Sequence, residues 1–101
     1  MNHLEKEMML FEFNESLENF QKKNISNKEI RDLLNSDLIY IIVYHNNKEI
    51  IIWHGNNSNI RMKFIATQEA PKIRDKFGID YKISAVGEGD ESFKFKEIVS
   101  H

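Results

Sequence analysis

Apolar residues recur in short strand-like runs through the first half of the chain and at helical spacing through the second. Residues 8–13, MMLFEF, are aromatic and partly alternating, the pattern of a first strand. Asn14-Glu15-Ser16 reads as a turn, and residues 16–25, with spaced Leu17, Phe20 and Ile25, as an irregular segment or weak strand. Ser26 and Glu29 have the spacing of a capping box, which predicts a short helical turn over residues 27–34 with Ile30, Leu33 and Leu34 inward. Asn35-Ser36-Asp37 breaks that turn. Residues 38–44 and 50–53 are β-branched or aromatic and apolar at successive positions, so both should be strands covered on both faces. The five polar residues between them fit a hairpin, making the two strands antiparallel neighbours.

The period then changes. Met62, Ile65, Ala66, Glu69, Ala70, Ile73 and Phe77 sit at helical spacing, six of the seven apolar, and predict a helix over residues 59–77. Ser58 is the expected cap, Gly78 the expected stop, and Pro71 predicts a kink near residues 67–70. Residues 79–86 read as a final core strand, GEGDE at 87–91 as a solvated acidic turn, and residues 92–99 as a closing helix or strand. The order predicts an α+β domain, a mixed sheet between one long and one short helix.

Composition narrows the function classes. At 101 residues, residues 1–7 read as a tail and residues 8–101 as one domain. A net charge of −2 provides no basic field for non-specific nucleic-acid binding. No cysteine is present, which removes disulfides, thiolate catalysis and Cys-type zinc sites. His3, His45, His54 and His101 lack metal-ligand spacing. No apolar run has the length of a membrane span, and residues 1–7 lack a signal-type core, so a cytoplasmic location is expected. GEGDE lacks the third glycine of a dinucleotide loop, and no nucleophile elbow is present, so nothing argues for an enzyme. Trp53 is expected to anchor the core, and Gly55 to let the chain turn toward the helix.

Joined in order, the marks are Ser36-Asp37, an apolar hairpin ending Trp53-His54-Gly55, a helix containing Ala66 and Ala70, and Gly89, Glu91 and Phe95. Over residues 33–99 this pattern resembles the gelsolin/villin/severin domain of actin-severing and actin-capping proteins. The resemblance implies about five strands between a long and a short helix, an architecture shared with ADF/cofilin-like proteins. It also implies actin as partner, bound by the long helix, with a single domain capping or sequestering and monomeric on its own. The outer helix face would then carry Ile60, Phe64, Thr67, Gln68, Pro71, Lys72 and Asp75, with Ile60 and Phe64 as apolar anchors. Phe64 packing on a neighbouring loop is the alternative, and Gln68 stands where actin-binding members favour an apolar residue.

Calcium is the second implied partner, with ligands at Ser36 (carbonyl) and Asp37. Arg61 and Met62 occupy the place of the family's helix glutamate, so the second carboxylate is missing. A non-actin interaction module, like the gelsolin-like domain of vesicle-coat proteins, is the alternative function.

Overall fold

The computed structural model describes residues 8–25 and 28–100. Five strands form one sheet: β1 (Met8–Asn14), β2 (Asn19–Lys23), β3 (Ile39–Tyr44), β4 (Glu49–His54) and β5 (Lys82–Gly87). Their order is β2-β1-β3-β4-β5. All neighbours are antiparallel except β4 and β5, which run parallel because helix α1 (Ile60–Phe77) carries the chain back between them. The short helix α2 is Phe93–Val99. The expected mixed sheet between a long and a short helix is the observed architecture.

The double-sided apolar pattern of β3 and β4 has a direct cause. Ile39, Ile41, Val43, Ile50 and Ile52 point to one face, where Met62, Ile65, Ala66, Ala70 and Ile73 of α1 cover them. Tyr40, Ile42, Ile51 and Trp53 point to the other, where Ile30 and Phe95, Ile98 and Val99 of α2 cover them. Side chains alternate across a strand, so a central strand sandwiched by two layers needs apolar residues at every position. Ala66 and Ala70 are the close-approach residues, at 0% and 1% exposure.

Several local expectations are corrected. Residues 19–23 form a full strand, paired with β1 from Leu10↔Lys23 to Asn14↔Asn19. Their backbone supplies the pairing while only Phe20 packs inward, edge-on to Phe13 with ring centroids 5.4 Å apart. The expected helical turn shortens to a 3-10 turn, Ile30–Leu33, with Glu29 before it making no side-chain cap. Ser26 and Asn27 lie outside the described residues, as do His3, His101 and the tail. Ile30 is buried, with Leu33 and Leu34 partly so, as the pattern predicted. Strand β5 starts at Lys82 and lies at the sheet edge with Lys82, Ser84 and Ala85 exposed, so it is not a core strand.

The start of α1 shifts by one residue. Asn59, not Ser58, is the cap: its side chain accepts the Met62 N–H at 2.9 Å. Ser58 instead donates its hydroxyl to the Gly55 carbonyl at 2.7 Å, bracing the loop before the helix. The helix continues as one element through Pro71 and stops at Gly78, whose φ is 155° and whose N–H reaches the Arg74 carbonyl at 2.8 Å.

Gly55 is required for space, not for a left-handed backbone. A Cβ there would lie 2.7 Å from the Leu38 carbonyl oxygen and closer still to that of Ser36. Gly55 also donates its N–H to Leu38 at 3.0 Å, so the two backbones cannot separate cheaply. Gly55→Ala is therefore expected to cost about 1–3 kcal/mol or more, as overpacking does. The check is the urea midpoint, with Gly89→Ala as a contrast because a Cβ at Gly89 meets nothing within 4 Å and tests φ alone.

Candidate functional site

Of the five large apolar side chains exposed among the described residues, Ile60 and Phe64 share the outer face of α1, while Leu17, Ile79 and Phe93 stand singly on other segments. Ile60 is 82% exposed and Phe64 55%, one helical turn apart. More than half of Phe64 is therefore open to solvent. Thr67, Gln68, Lys72 and Asp75 continue the same face in the open, and Pro71 is half-buried. Lys72 pairs with Glu69 at 3.2 Å, and Asp75 with Arg74 at 3.3 Å. Such exposed pairs contribute little to stability, so these side chains remain adaptable. Thr67 donates its hydroxyl to the Lys63 carbonyl at 2.9 Å.

The inner face of α1 packs on the sheet, and both of its ends also contact neighbouring segments. At its start Arg61 makes a two-pronged ion pair with Glu18, at 2.7 and 3.0 Å, tying α1 to the β1–β2 turn. That pair holds the Glu18 carboxyl below its usual range. At its far end His45 Nδ1 lies 2.7 Å from the Tyr81 hydroxyl, and the His45 ring meets Phe77 edge-on at 4.8 Å. Lys48 and Asp80 close the same corner at 2.7 Å. A helix packed along its inner face loses little backbone freedom when a partner docks on the outer one.

The turn after β5 corrects the reading of GEGDE as solvated. Glu91 Oε2 accepts the Trp53 indole N–H at 2.9 Å, and its Oε1 accepts the Gly89 N–H at 2.8 Å. Glu88 accepts the Ser36 hydroxyl and the Asn56 N–H, each at 2.8 Å. Trp53 is the expected core anchor, 3% exposed, with its polar edge satisfied by a carboxylate 38 residues away. Sequence reasoning marked Glu91 within a motif but found no role for Glu88 or Glu18. Their partners come from distant segments, so no local pattern reveals them.

Ser36 and Asp37, the residues offered to calcium, lie at the turn leading into β3, against the loop before α1. The Ser36 carbonyl accepts the Asn57 N–H at 2.9 Å, and Asp37 Oδ1 accepts the Asn57 side-chain amide at 3.0 Å. Calcium takes six to eight oxygens, several of them charged. Among the described residues no group of three or more His, Cys, Asp or Glu is placed to hold a metal ion. Arg61, at the position where a glutamate would be wanted, is a cation already bound to Glu18. This donor set does not fit a calcium cradle.

The titrating groups predict a two-stage acid response. Burial holds His45 and His54 below the ordinary histidine value of 6.5, His54 also through the charge of Lys63. Burial pushes the Glu91 carboxyl up, but its bonds from Trp53 and from backbone N–H groups outweigh this and hold it below 4.5. In every case the unfolded chain binds the proton first, so stability falls with falling pH. Loss from the histidines begins below 6.5 and ends once the folded rings protonate; loss from Glu91 begins below 4.5. Urea unfolding from pH 7.5 to 3 should show both stages, and Glu91→Gln should flatten the second. A profile level between pH 7 and 5 would contradict the histidine placement.

A cavity of about 280 Å³ opens between β1 and the end of β2, lined by Met8, Met9 and residues 22–25, away from α1. Among the described residues no helix is long and apolar enough to cross a membrane. No protein-family model matches the chain, and no curated protein matches its sequence. Solved structures do match its shape. ProGel of Thorarchaeota, crystallised as a complex with rabbit actin, superposes with a TM-score of 0.80 at 19% identity. The match covers 92% of this chain and 99% of that one. Thorarchaeota 2DGel3, also crystallised with rabbit actin, gives a TM-score of 0.73 at 23% identity over 97% of this chain. It covers 47% of the 2DGel3 chain, so this protein spans about half of that length. The fold is gelsolin-like, in agreement with the sequence resemblance.

Proposed function

We propose that this chain is an actin-binding module that docks the outer face of α1 into a cleft on actin. By doing so it caps filament ends or sequesters monomers, as a cytoskeleton-associated protein. The observation that carries this reading is the pair Ile60 and Phe64, large apolar side chains exposed one turn apart on a helix whose inner face is packed on the sheet. The surface they still expose offers about 2–4 kcal/mol of burial free energy to whatever covers it. Thr67, Gln68, Lys72 and Asp75 would form the polar rim that surrounds interface anchors. Support comes also from two proteins of this fold that were crystallised with actin.

The test is assembly of pyrene-labelled actin with the purified chain, beside a monomer-binding assay and co-sedimentation with filaments. Sequestering lowers the final polymer in proportion to added protein. Capping slows elongation at substoichiometric amounts. Unchanged assembly, together with no monomer binding, would remove actin as the partner. The polar Gln68 in mid-face would then favour the vesicle-coat type of interaction module.

A further inference from the structure

Two segments meet beside the start of α1: the turn Asn35-Ser36-Asp37 leading into β3, and the loop of residues 55–59 leaving β4. In this chain they are stitched by hydrogen bonds that converge on one carboxylate. Glu88 Oε2 accepts the Ser36 hydroxyl, its Oε1 accepts the Asn56 N–H, and its own N–H donates to the His54 carbonyl, all at 2.8 Å. Asn57 completes the seam, giving its backbone N–H to the Ser36 carbonyl and its amide to Asp37 Oδ1. The Asp37 N–H in turn reaches Asn35 Oδ1 at 2.8 Å. The Ser36 carbonyl and Asp37 Oδ1, both offered to calcium by the sequence, thus each have an internal donor. A cation at these two oxygens would compete with those donors, and Arg61, at the place of the helix glutamate that the resemblance calls for, is itself a cation paired with Glu18.

We infer that Glu88 is an internal latch taking the place of a divalent cation at this junction, so that α1 is positioned without calcium. Glu88 is a positioning residue: it touches no residue of the outer face and acts through the loop that aims the helix. The consequence for actin rests on the function proposed above. The latch itself does not, and it is measured without actin.

Thermal unfolding of the full chain is compared in 1 mM calcium and in chelator. The expected midpoints agree within about 1 °C, whereas a site with Kd near 10 µM would raise the midpoint by about 10 °C or more. Asp37→Asn should likewise melt identically in both conditions. Glu88→Ala should lower the midpoint by about 6 °C or more, equally with and without calcium, because it removes the charged acceptor shared by the part-buried Ser36 hydroxyl and the Asn56 N–H. Glu88→Gln, which keeps one acceptor oxygen, should recover part of that loss. A calcium-dependent rise in the wild type that Asp37→Asn abolishes would overturn the inference. So would a Glu88→Ala variant that melts with the wild type. In the actin assays, equal potency in calcium and in chelator is the expected result, and potency only in calcium would overturn calcium independence. No activity in either condition, with the melts as expected, would sink the actin reading and leave the latch standing.

Discussion

Trp53→Ala is expected to destabilise this domain by about 3–5 kcal/mol, the range for removing a large buried aromatic side chain. Trp53 packs against Tyr40, with ring centroids 5.8 Å apart, inside the cluster formed with Ile51, Phe95 and Ile98. Truncation removes that surface and also leaves Glu91 Oε2 without its indole donor. Domains of this size are stable by about 5–15 kcal/mol, so this one substitution removes a large share of the margin. A midpoint lower by more than about 12 °C follows. Trp53→Phe separates the two contributions: it keeps an aromatic ring but no donor, and about 1–3 kcal/mol is the expected cost. The variants lack the only tryptophan, so circular dichroism should follow their unfolding. An alanine variant as stable as the wild type would mean that Trp53 does not anchor this layer.

The second large effect is functional. Phe64→Asp and Ile60→Asp should each leave the melting midpoint almost unmoved, since both side chains are largely in water and surface changes fall within about 0.5 kcal/mol. Their effect on actin should be of the opposite size. Truncated anchors at an interface cost about 2 kcal/mol or more, close to a 30-fold loss of affinity, and a carboxylate forced into an apolar cleft adds desolvation. Asp75→Ala, at the proposed rim, is the control expected to change affinity by less than threefold. Equal potency of Phe64→Asp and wild type on pyrene-actin would move the docking surface off this helix. Loss of potency with a lowered midpoint would instead report misfolding, which is why both readouts are needed.

Much of the frame was legible from residues alone. The unbroken apolar runs at 38–44 and 50–53 required a sandwiched hairpin, and Met62, Ile65, Ala66, Ala70 and Ile73 fixed which helix face meets the sheet. The same repeat left Ile60 and Phe64 outside, so the proposed docking face follows from periodicity. Strand β2 was obscure because its stability comes from backbone pairing with β1, which side-chain pattern does not record. Ser58 was the expected cap, but Asn59 beside it is an equally good capping residue, and the structure places the cap there. Strand β5 looked like core because its composition is mixed; its edge position in the sheet exposes it.

Glu88 and Glu91 mark the boundary most clearly. In sequence they are two acids in a glycine turn, and exposure is the ordinary fate of such residues. In the fold Glu88 bonds Ser36 and Asn56, 52 and 32 residues away along the chain, and Glu91 bonds Trp53, 38 residues away. The sequence by itself determined the layers, the helix face and the exposed anchors, because those depend on periods of two and 3.6 within single elements. Only the tertiary structure decided which carboxylates secure the loops and which oxygens remain for a cation, because hydrogen bonds form between groups that chain closure, not sequence proximity, brings within 3 Å.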